Sequence, residues 1–558
     1  MRLSSFVILL LSFLQLSAQQ TVGLLKNETG AYEGYTLFTP RHYHTSYLIN
    51  NEGKMVNEWE QQDGLRVENC RLLDNGQLIR AVNLRLASFA RHPGAHGKLE
   101  LVNWDGTVSW SMVYGDQSYI LHHEIIPIKQ DDGSYHFLCS SWDKVSSTDA
   151  VENGRNPNAV GGNSQYLLLE RLLEIKPIDT ADYEIVWQWN MMDHLVQEDY
   201  PTKDNYIANG VSSNPQLMNF NHYKVGRNPD WMHVNGLDYN PELDQIIISN
   251  PGSDEFFIID HGTTTAEAAG HSGGARGKGG DILYRWGNDN AYSVGTTKHF
   301  DALHGAYWIT DGNKDAGKIM VLNNGKSSNA SEIVIVDPDI DTLGNYNTPV
   351  AGKAFLPQNS AWKYSDGSNF HTGNMGNGQR LPNGNTLINE AVKGRFFEID
   401  KNNTIVWEYI CPVISTGPMN YDIKLSDIPT SNAGGDLENE VYKILRYATD
   451  YSGFKNKDLT PKGYIELNNP LTSINKKVFD SYVQAYPNPT LGVLTVSNLN
   501  ENHQLEIITT SGKILNLMQS NGNSSVEFDL GQLPAGLYFL KLTNQANKSI
   551  TVQKIIKE

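Results

Sequence analysis

Residues 371–410 read HTGNMGNGQRLPNGNTLINEAVKGRFFEIDKNNTIVWEYI, and this stretch decides the fold. A short strand, an Asn-Gly turn and an apolar strand are followed by an outer pair of strands. Segments of the same shape begin at His123, His233 and His304. Repeats built only from short strands with evenly spaced turns are typical of a β-propeller. We therefore predict an all-β chain whose main domain is a six-bladed β-propeller, with five or seven blades also compatible.

A histidine opens four of these repeats. The blades of a propeller converge on a central channel, so equivalent positions of different first strands can meet there. We expect the imidazoles of His123, His233, His304 and His371 to line one funnel.

The assignment is ambiguous at two of the four positions. His122 is adjacent to His123 and could take its place, and His299 lies close enough to replace His304. Arg285 is a candidate cation, although a structural role at a blade edge is the plainer interpretation.

The chain divides by composition into four parts. Residues 1–18 hold an apolar run and small residues near Ala18, which predicts a secretory signal peptide. The propeller is expected over 19–465, closed into a ring by a strand within 438–454. A linker (466–482) and a small C-terminal β-sandwich domain (483–558) follow. Within the propeller, the Gly-rich segment 264–280 is predicted to be a flexible loop.

Charge and hydropathy exclude some classes of partner. The net charge is −18 and no long run of Lys and Arg occurs, so we expect no nucleic acid partner. After the signal peptide no segment approaches about 20 apolar residues, so no transmembrane segment is expected in the mature protein. Cys70, Cys139 and Cys411 are expected to be buried free thiols.

The C-terminal region resembles the sorting domain of type IX secretion cargo. The matching phrases are YPNP at 486–489, TSGK at 510–513, LPAGLY at 533–538 and KIIK at 554–557. The resemblance implies a protein that is secreted or held at the cell surface, with the type IX secretion machinery as a partner.

The propeller resembles the bacterial arylsulfotransferase family. The matching stretches are DWMHVNGLDYNPELD at 230–244 and GQRLPNGNTLI at 378–388, with Arg446 and Tyr447 in the closing strand. The resemblance implies transfer of a sulfuryl group from a phenolic sulfate ester to a phenol, without a nucleotide sulfate donor and without a cofactor or metal.

The same resemblance implies roles for individual residues. His371 matches the nucleophile that becomes a sulfohistidine, and His233 and His304 match supporting catalytic histidines. Asn235 is expected to bind a sulfuryl oxygen, and His123 is expected to bind substrate. Lys326 is the nearest candidate for the cation that grips the sulfate, where the family has an Arg.

These roles suit the chemistry of sulfuryl transfer. Its transition state resembles the loose one of phosphoryl transfer, so catalysis depends on positioning and charge stabilisation. A neutral imidazole is a competent nucleophile near neutral pH, and a protonated imidazole can supply the proton that a leaving phenolate needs.

Two other functions remain open from the sequence. The four histidines could instead hold a transition metal, which would make the protein a His-ligated metalloenzyme. The propeller could also be a non-catalytic surface module that binds a glycan or a protein.

Overall fold

The computed structural model describes residues 20–160, 165–222, 229–310, 312–431, 435–469, 483–499, 502–509, 513–545 and 550–558. The chain divides into two compact units, residues 1–467 and 468–558. The predicted signal peptide and most of the predicted linker lie outside the described residues, so both stay predictions. In the described part of the chain, no helix is long and apolar enough to cross a membrane.

Short antiparallel strands make up most of the first unit. In chain order they are β1 (Gly23–Asn27), β2 (Gly34–Pro40), β3 (Thr45–Asn50), β4 (Lys54–Glu60), β5 (Val67–Leu72), β6 (Leu78–Asn83), β7 (Gly97–Val102), β8 (Val108–Val113), β9 (Tyr119–Lys129), β10 (Tyr135–Ser146), β11 (Tyr166–Ile178), β12 (Asp182–Asn190), β13 (Leu195–Val196), β14 (Met218–Asn219), β15 (Gly236–Asn240), β16 (Gln245–Asn250), β17 (Glu255–Asp260), β18 (Ile282–Trp286), β19 (Leu303–Trp308), β20 (Ile319–Asn323), β21 (Glu332–Val336), β22 (Trp362–Tyr364), β23 (Asn377–Arg380), β24 (Thr386–Glu390), β25 (Arg395–Ile399), β26 (Ile405–Ile410), β27 (Val413–Ile414), β28 (Gly417–Pro418), β29 (Val441–Ala448) and β30 (Gly463–Tyr464). Three short α-helices occur among the described residues, and all lie between strands: α1 (Ser147–Glu152), α2 (Gly210–Ser213) and α3 (Thr265–Ala268).

Six sheets of four or five strands form the blades. The first blade has the strand order β29-β2-β3-β4-β30, the second β5 to β8, the third β9 to β12, the fourth β15 to β18, the fifth β19 to β22, and the sixth β23 to β26 with β1 at its outer edge. The prediction of an all-β, six-bladed propeller is confirmed. The histidine-led repeats at 123, 233, 304 and 371 correspond to the third to sixth blades.

The ring is closed by strands from both ends of the propeller sequence. β29 pairs antiparallel with β2, with Leu445 opposite Leu37. The closing strand lies within 438–454, as predicted. Because β29 is innermost in the first blade, the last propeller strand borders the central channel.

The core is divided among the interfaces between neighbouring blades. Between the third and fourth blades, for example, the buried side chains include Leu169, Trp189, Ile246, Ile248 and Phe257. Burying one such side chain contributes about 1.5–3 kcal/mol. Similar apolar clusters fill the other interfaces, and this packing fixes the positions of the inner strands that carry the site.

The Gly-rich segment 264–280 is structured, unlike the flexible loop that its composition predicts. It contains α3, which Thr264 and Glu267 cap reciprocally. Its glycines turn the chain back on itself, with Gly280 N–H donating to the Gly270 carbonyl at 3.0 Å. The three cysteines are buried and free, as expected.

The second unit is a small two-sheet domain. Its strands are β31 (Gln484–Tyr486), β32 (Val493–Ser497), β33 (His503–Thr509), β34 (Ile514–Gln519), β35 (Ser525–Asp529), β36 (Gly536–Asn544) and β37 (Ile550–Lys557). One sheet has the order β31-β32-β35 and the other β34-β33-β36-β37. Leu494, Leu505, Phe528, Leu540 and Ile555 are buried in its own core, so the predicted β-sandwich is confirmed.

Candidate active site

A cavity of about 880 Å³ lies where the inner strands of the six blades meet. Every blade contributes lining residues, from its first strand or from a loop. They include Arg41 and Tyr442 from the first blade, Glu68 from the second, His123 from the third, His233 and Asn235 from the fourth, His304 and Lys326 from the fifth, and Met375 from the loop before the first strand of the sixth. Three of the four predicted histidines therefore face one cavity on the propeller axis.

His233 forms a close pair with Asp230. Its Nδ1 lies 2.6 Å from Oδ2 of Asp230, whose side chain is almost completely buried. Burial disfavours the imidazolium, but the charge of Asp230 and its hydrogen bond outweigh burial and raise the pKa of His233. The imidazole itself is 30% exposed, so it can exchange a proton with a molecule in the cavity.

His304 is held in a single neutral tautomer. Its Nδ1–H donates to Oδ1 of Asn324 at 2.6 Å, and the Asn324 amide group donates in turn to the carbonyls of Thr372 and Met375. Burial lowers the pKa of His304 to about 3, against the weaker effect of the Asn324 hydrogen bond. Nε2 therefore carries a lone pair, and it accepts a long 3.2 Å hydrogen bond from the Met375 N–H.

His123 is oriented by a chain of buried polar groups. Nδ1 of His123 lies 2.9 Å from Nδ1 of His122, and Nε2 of His122 lies 2.8 Å from Oε2 of Glu170. Burial lowers the pKa of both histidines and raises the pKa of Glu170 well above its usual range. The raised pKa favours a protonated Glu170 that donates to His122, which then donates to His123. This leaves Nε2 of His123 as an N–H donor.

Backbone irregularities place these histidines. Between β9 and β10, Ile125 is opposite Cys139 and His122 is opposite Ser140, so His123 lies in a bulge. A second register shift follows His304 in β19. His123 and His233 also adopt left-handed backbone conformations, with φ of 52° and 53°. Such conformations cost about 1–3 kcal/mol each and often occur at functional sites.

Asn235 and Tyr442 form one wall of the cavity. The Asn235 side-chain amide donates to the Leu303 carbonyl at 2.8 Å, so one of its two N–H bonds is already used. The Tyr442 hydroxyl lies 2.6 Å from the Asn235 carbonyl oxygen and 2.9 Å from Glu124. Asn235 is thus fixed in place, and its remaining N–H is the group that could contact substrate.

Lys326 is the cavity cation that is free to bind an anion. The other lining cations are paired with carboxylates: Arg41 with Glu440 at 2.8 Å and Lys298 with Asp254 at 2.7 Å. Within the described residues, Lys326 has no such ion pair, and its side chain is exposed.

His371 lies in an adjoining cavity rather than in the main one. This second cavity, about 650 Å³, shares four lining residues with the first, Lys326 among them. The His371 N–H donates to Glu390 at 3.1 Å. Its Nε2 is buried without a hydrogen-bond partner among the described residues.

Two parts of the chain match known protein families. Residues 174–424 match the family described as Arylsulfotransferase (ASST), and residues 484–558 match the Secretion system C-terminal sorting domain. Residues 174–424 are an arylsulfotransferase domain. The chain is therefore an aryl-sulfate sulfotransferase, and type IX secretion exports it to the cell surface or out of the cell.

A search of curated proteins found no significant match. Similar solved structures include a protein of unknown function from Bacteroides caccae, with 10% identity and a TM-score of 0.38, covering 74% of this chain and 98% of that chain. The β-propeller domain of Cps50 (Swd1) from Myceliophteria thermophila has 9% identity and a TM-score of 0.28, covering 70% and 88%. The periplasmic gluconolactonase PpgL of Pseudomonas aeruginosa has 9% identity and a TM-score of 0.32, covering 94% and 99%. Likenesses this distant carry no argument about function.

The structure shows which histidine of each ambiguous pair lines the cavity. His123 lines the cavity while His122 lies behind it, bonded to Glu170. His304 lines the cavity, whereas His299 stacks on Trp286 with ring centroids 4.2 Å apart.

Arg285 has a structural role in the arylsulfotransferase domain. It is buried against Glu255, with Nε donating at 2.8 Å, and it also donates to the carbonyls of Pro215 and Leu217. Its charge and its donors are used, so it is not an anion-binding group of the cavity.

Several site residues of the arylsulfotransferase were not identified from sequence. Asp230 stands in the quoted DWMH phrase, and a carboxylate three residues before a candidate histidine was a usable signal. His222 lines the cavity although no role was expected for it. Glu170 and Asn324 come from other strands and loops, and no sequence pattern connects them to the histidines they orient.

Proposed function

We propose that the protein moves a sulfuryl group from a phenolic sulfate ester to a phenolic acceptor through a sulfohistidine formed in the main cavity. One observation carries the proposal. An imidazole with a lowered pKa and a fixed tautomer, His304, and an imidazole whose pKa a carboxylate raises, His233, line the same cavity. These are the two forms that nucleophilic attack and leaving-group protonation need.

In the first half-reaction, Nε2 of His304 attacks the sulfur of the donor. The bond between sulfur and the aryl oxygen breaks, and its electron pair stays on the phenolate oxygen. That oxygen takes the proton of His233 Nε2, so a neutral phenol leaves and the SO₃ group stays on His304.

In the second half-reaction the acceptor phenol attacks the same sulfur. Its proton passes to His233, which is now neutral, and the bond between Nε2 of His304 and sulfur breaks. The product is the new aryl sulfate, and both histidines return to their starting forms. Because each half-reaction restores what the other used, no further co-reactant is needed.

Cations and N–H groups around the cavity suit the charge that spreads over the sulfuryl oxygens. Lys326 supplies a positive charge that no carboxylate of the described residues pairs with. The Met375 N–H, released when His304 attacks, can donate to a sulfuryl oxygen, as can Nε2–H of His123 and the second amide N–H of Asn235. Donors already in place stabilise such a transition state without reorganisation.

The family resemblance implies His371 as the nucleophile, whereas the cavity that each ring lines favours His304. His371 lines the adjoining cavity, where Lys326 is shared but His233 does not line the wall. A nucleophile at His304 keeps the attacking atom and the proton donor in one cavity. We therefore propose His304 as the nucleophile and a role for His371 beside Lys326.

Transfer from p-nitrophenyl sulfate to phenol distinguishes the two histidines. His304→Ala is expected to lower kcat/KM by about 10³-fold or more, and His371→Ala by clearly less. His299→Ala, five residues away on the outside of the cavity, is the matched control and should keep wild-type turnover.

Trapping the intermediate locates it directly. After rapid mixing with p-nitrophenyl sulfate alone, peptide mass spectrometry should find one SO₃ group on the peptide that contains His304. An SO₃ group on the His371 peptide, with His304→Ala still active, would restore His371 as the nucleophile. No covalent species with either residue, despite turnover, would argue for direct transfer.

A further inference from the structure

Three metal-ligating side chains meet outside the cavity, where the third and fourth blades join. His194 follows β12, His271 lies in the Gly-rich segment, and Asp281 directly precedes β18. The Nδ1 atoms of both histidines lie 2.8 Å from the same carboxylate oxygen, Oδ1 of Asp281. One ligand atom from each residue falls within 4.8 Å of the other two.

The hydrogen bonds of His194 leave its Nδ1 atom facing the Asp281 carboxylate. Nε2 lies 2.8 Å from the Ala268 carbonyl oxygen, which can only accept, so Nε2 carries a proton. In a neutral ring, Nδ1 then has a lone pair directed at a carboxylate oxygen. A metal ion can be bound by that lone pair and by the carboxylate oxygen together.

Asp281 is a buried carboxylate. Its side chain is 5% exposed and that of His194 is fully buried. The ammonium group of the nearby Lys278 donates a hydrogen bond to the Thr348 hydroxyl at 3.0 Å. A buried carboxylate without a cation is strongly unfavourable. A metal ion held by Asp281 and both histidines would place a positive charge next to this buried carboxylate.

Packing and hydrogen bonds hold the His194 ring in one orientation, as is common for imidazoles that bind a metal. Trp189 stacks on its ring with an interplanar angle of 1°, and Trp189 Nε1–H donates to the Gly280 carbonyl at 2.8 Å. Any side chain at Gly280 would approach His194 Nε2 to 2.7 Å, so only glycine fits there. Metal-bound imidazoles commonly donate their other N–H to a backbone carbonyl, as His194 does to Ala268.

We propose that His194, His271 and Asp281 bind a divalent transition-metal ion, for which Zn²⁺ is the test probe. Two imidazoles and one carboxylate suit zinc or iron rather than calcium or magnesium. His271 is 60% exposed, so it can shift to admit the ion and leaves room for a water ligand.

The site would be structural. None of its three ligands lines the main cavity, and the ion joins the Gly-rich segment to the end of β12 and the start of β18. It is therefore separate from the metal-free sulfuryl transfer proposed above, and either proposal can fail without the other.

Zinc titration of the untagged full chain, stripped with EDTA and dialysed, tests the site by calorimetry. The wild type is expected to bind one equivalent, with a rise in Tm on zinc addition. His271→Ala, an exposed position that should leave the fold intact, is expected to weaken binding at least 10-fold and abolish the Tm shift. His44→Ala is the matched control, since His44 pairs with only one carboxylate, Glu60.

Two results would overturn the proposal. One is equal zinc binding by the wild type and His271→Ala, with Asp281→Asn also unchanged. The other is loss of the bound equivalent in His304→Ala with full retention in His271→Ala, because the ion would then belong to the cavity.

Discussion

At the scale of single residues, Asp230 determines the proton affinity of His233. Its carboxylate raises the pKa of His233, so the protonated form persists below that raised pKa and is lost as pH rises through it. If His233 protonates the leaving phenolate, activity is also expected to fall as pH rises through that pKa.

Asp230→Asn is expected to move the alkaline fall of kcat/KM to lower pH. The substitution removes the charge that favours the imidazolium, while burial, which disfavours it, remains. The measurement is the pH profile of p-nitrophenyl sulfate turnover. Asp244→Asn is the control, because Asp244 makes the same 2.6 Å pair with His261 without lining the cavity. An unchanged alkaline limb in Asp230→Asn would exclude His233 as the proton donor.

Glu170 is expected to act as a neutral acid that orients His122 and His123. Its Oε1 accepts from Trp142 Nε1–H at 3.0 Å and from Val234 N–H at 2.9 Å, while Oε2 faces His122. Glu170→Gln keeps both acceptor and donor roles, so we expect near wild-type stability and turnover. Glu170→Ala leaves buried donors unpaired, at about 1–3 kcal/mol each.

Denaturant unfolding and steady-state kinetics of both variants test this prediction. If Glu170→Gln were as damaging as Glu170→Ala, the carboxyl group would have to be ionised. The direction of the hydrogen bonds along Glu170, His122 and His123 would then be reversed.

At the scale of elements, β29 joins the two ends of the ring through Arg446. This side chain is fully buried, lies 3.0 Å from the equally buried Glu398 of β25, and donates to Thr36 of β2 at 2.8 Å. One guanidinium thus connects the closing strand to both the first and the sixth blade.

Glu398→Ala is expected to lower the free energy of unfolding by about 3–5 kcal/mol, because it leaves the Arg446 charge buried without its carboxylate. Denaturant titration measures the change. Lys363→Ala is the control, since Lys363 is 63% exposed and its pair with Glu332 should be worth less than about 1 kcal/mol. Equal, small decreases in the free energy of unfolding of both variants would show that burial of the Arg446 charge does not require Glu398.

At the scale of the whole molecule, catalysis and export are assigned to separate units. The propeller and the sorting domain have separate cores, and every described residue that lines the cavity belongs to the propeller. A chain ending at residue 467 is expected to keep the kcat/KM of the full protein but to remain inside the outer membrane. Assays of purified protein and of cell fractions measure the two effects. Loss of turnover in the shortened chain would contradict this separation.

Much of the architecture follows from the sequence because it is encoded locally. The Asn-Gly turn at 383–384 and the apolar strands on either side of it predict a blade hairpin. The same pattern repeated from 123 to 410 predicts the ring. The closing strand in 438–454 and the sandwich of 483–558 can also be predicted from the sequence, because alternating apolar residues and turn residues are signals that span only a few positions.

The site was only partly predictable. The sequence places His123, His233 and His304 at blade starts, and the fold brings them to one cavity. What moves His371 into the adjoining cavity is the loop before β23, whose path no periodicity fixes. Bulges and left-handed residues aim His123 and His233, and neither has a reliable sequence signature.

By itself, the sequence determined the propeller, the export domain and the histidines that reach the axis, since hydrophobic repeats and turn chemistry are local. Only the tertiary structure decided which imidazole has a raised pKa and which a lowered one. Asp230 raises the pKa of His233 and burial lowers that of His304, while Asn324 and Glu170 orient the rings of His304 and His122, and all of these contacts depend on how distant strands pack. The meeting of His194, His271 and Asp281 arises in the same way, from three segments that are brought together only when two blades join.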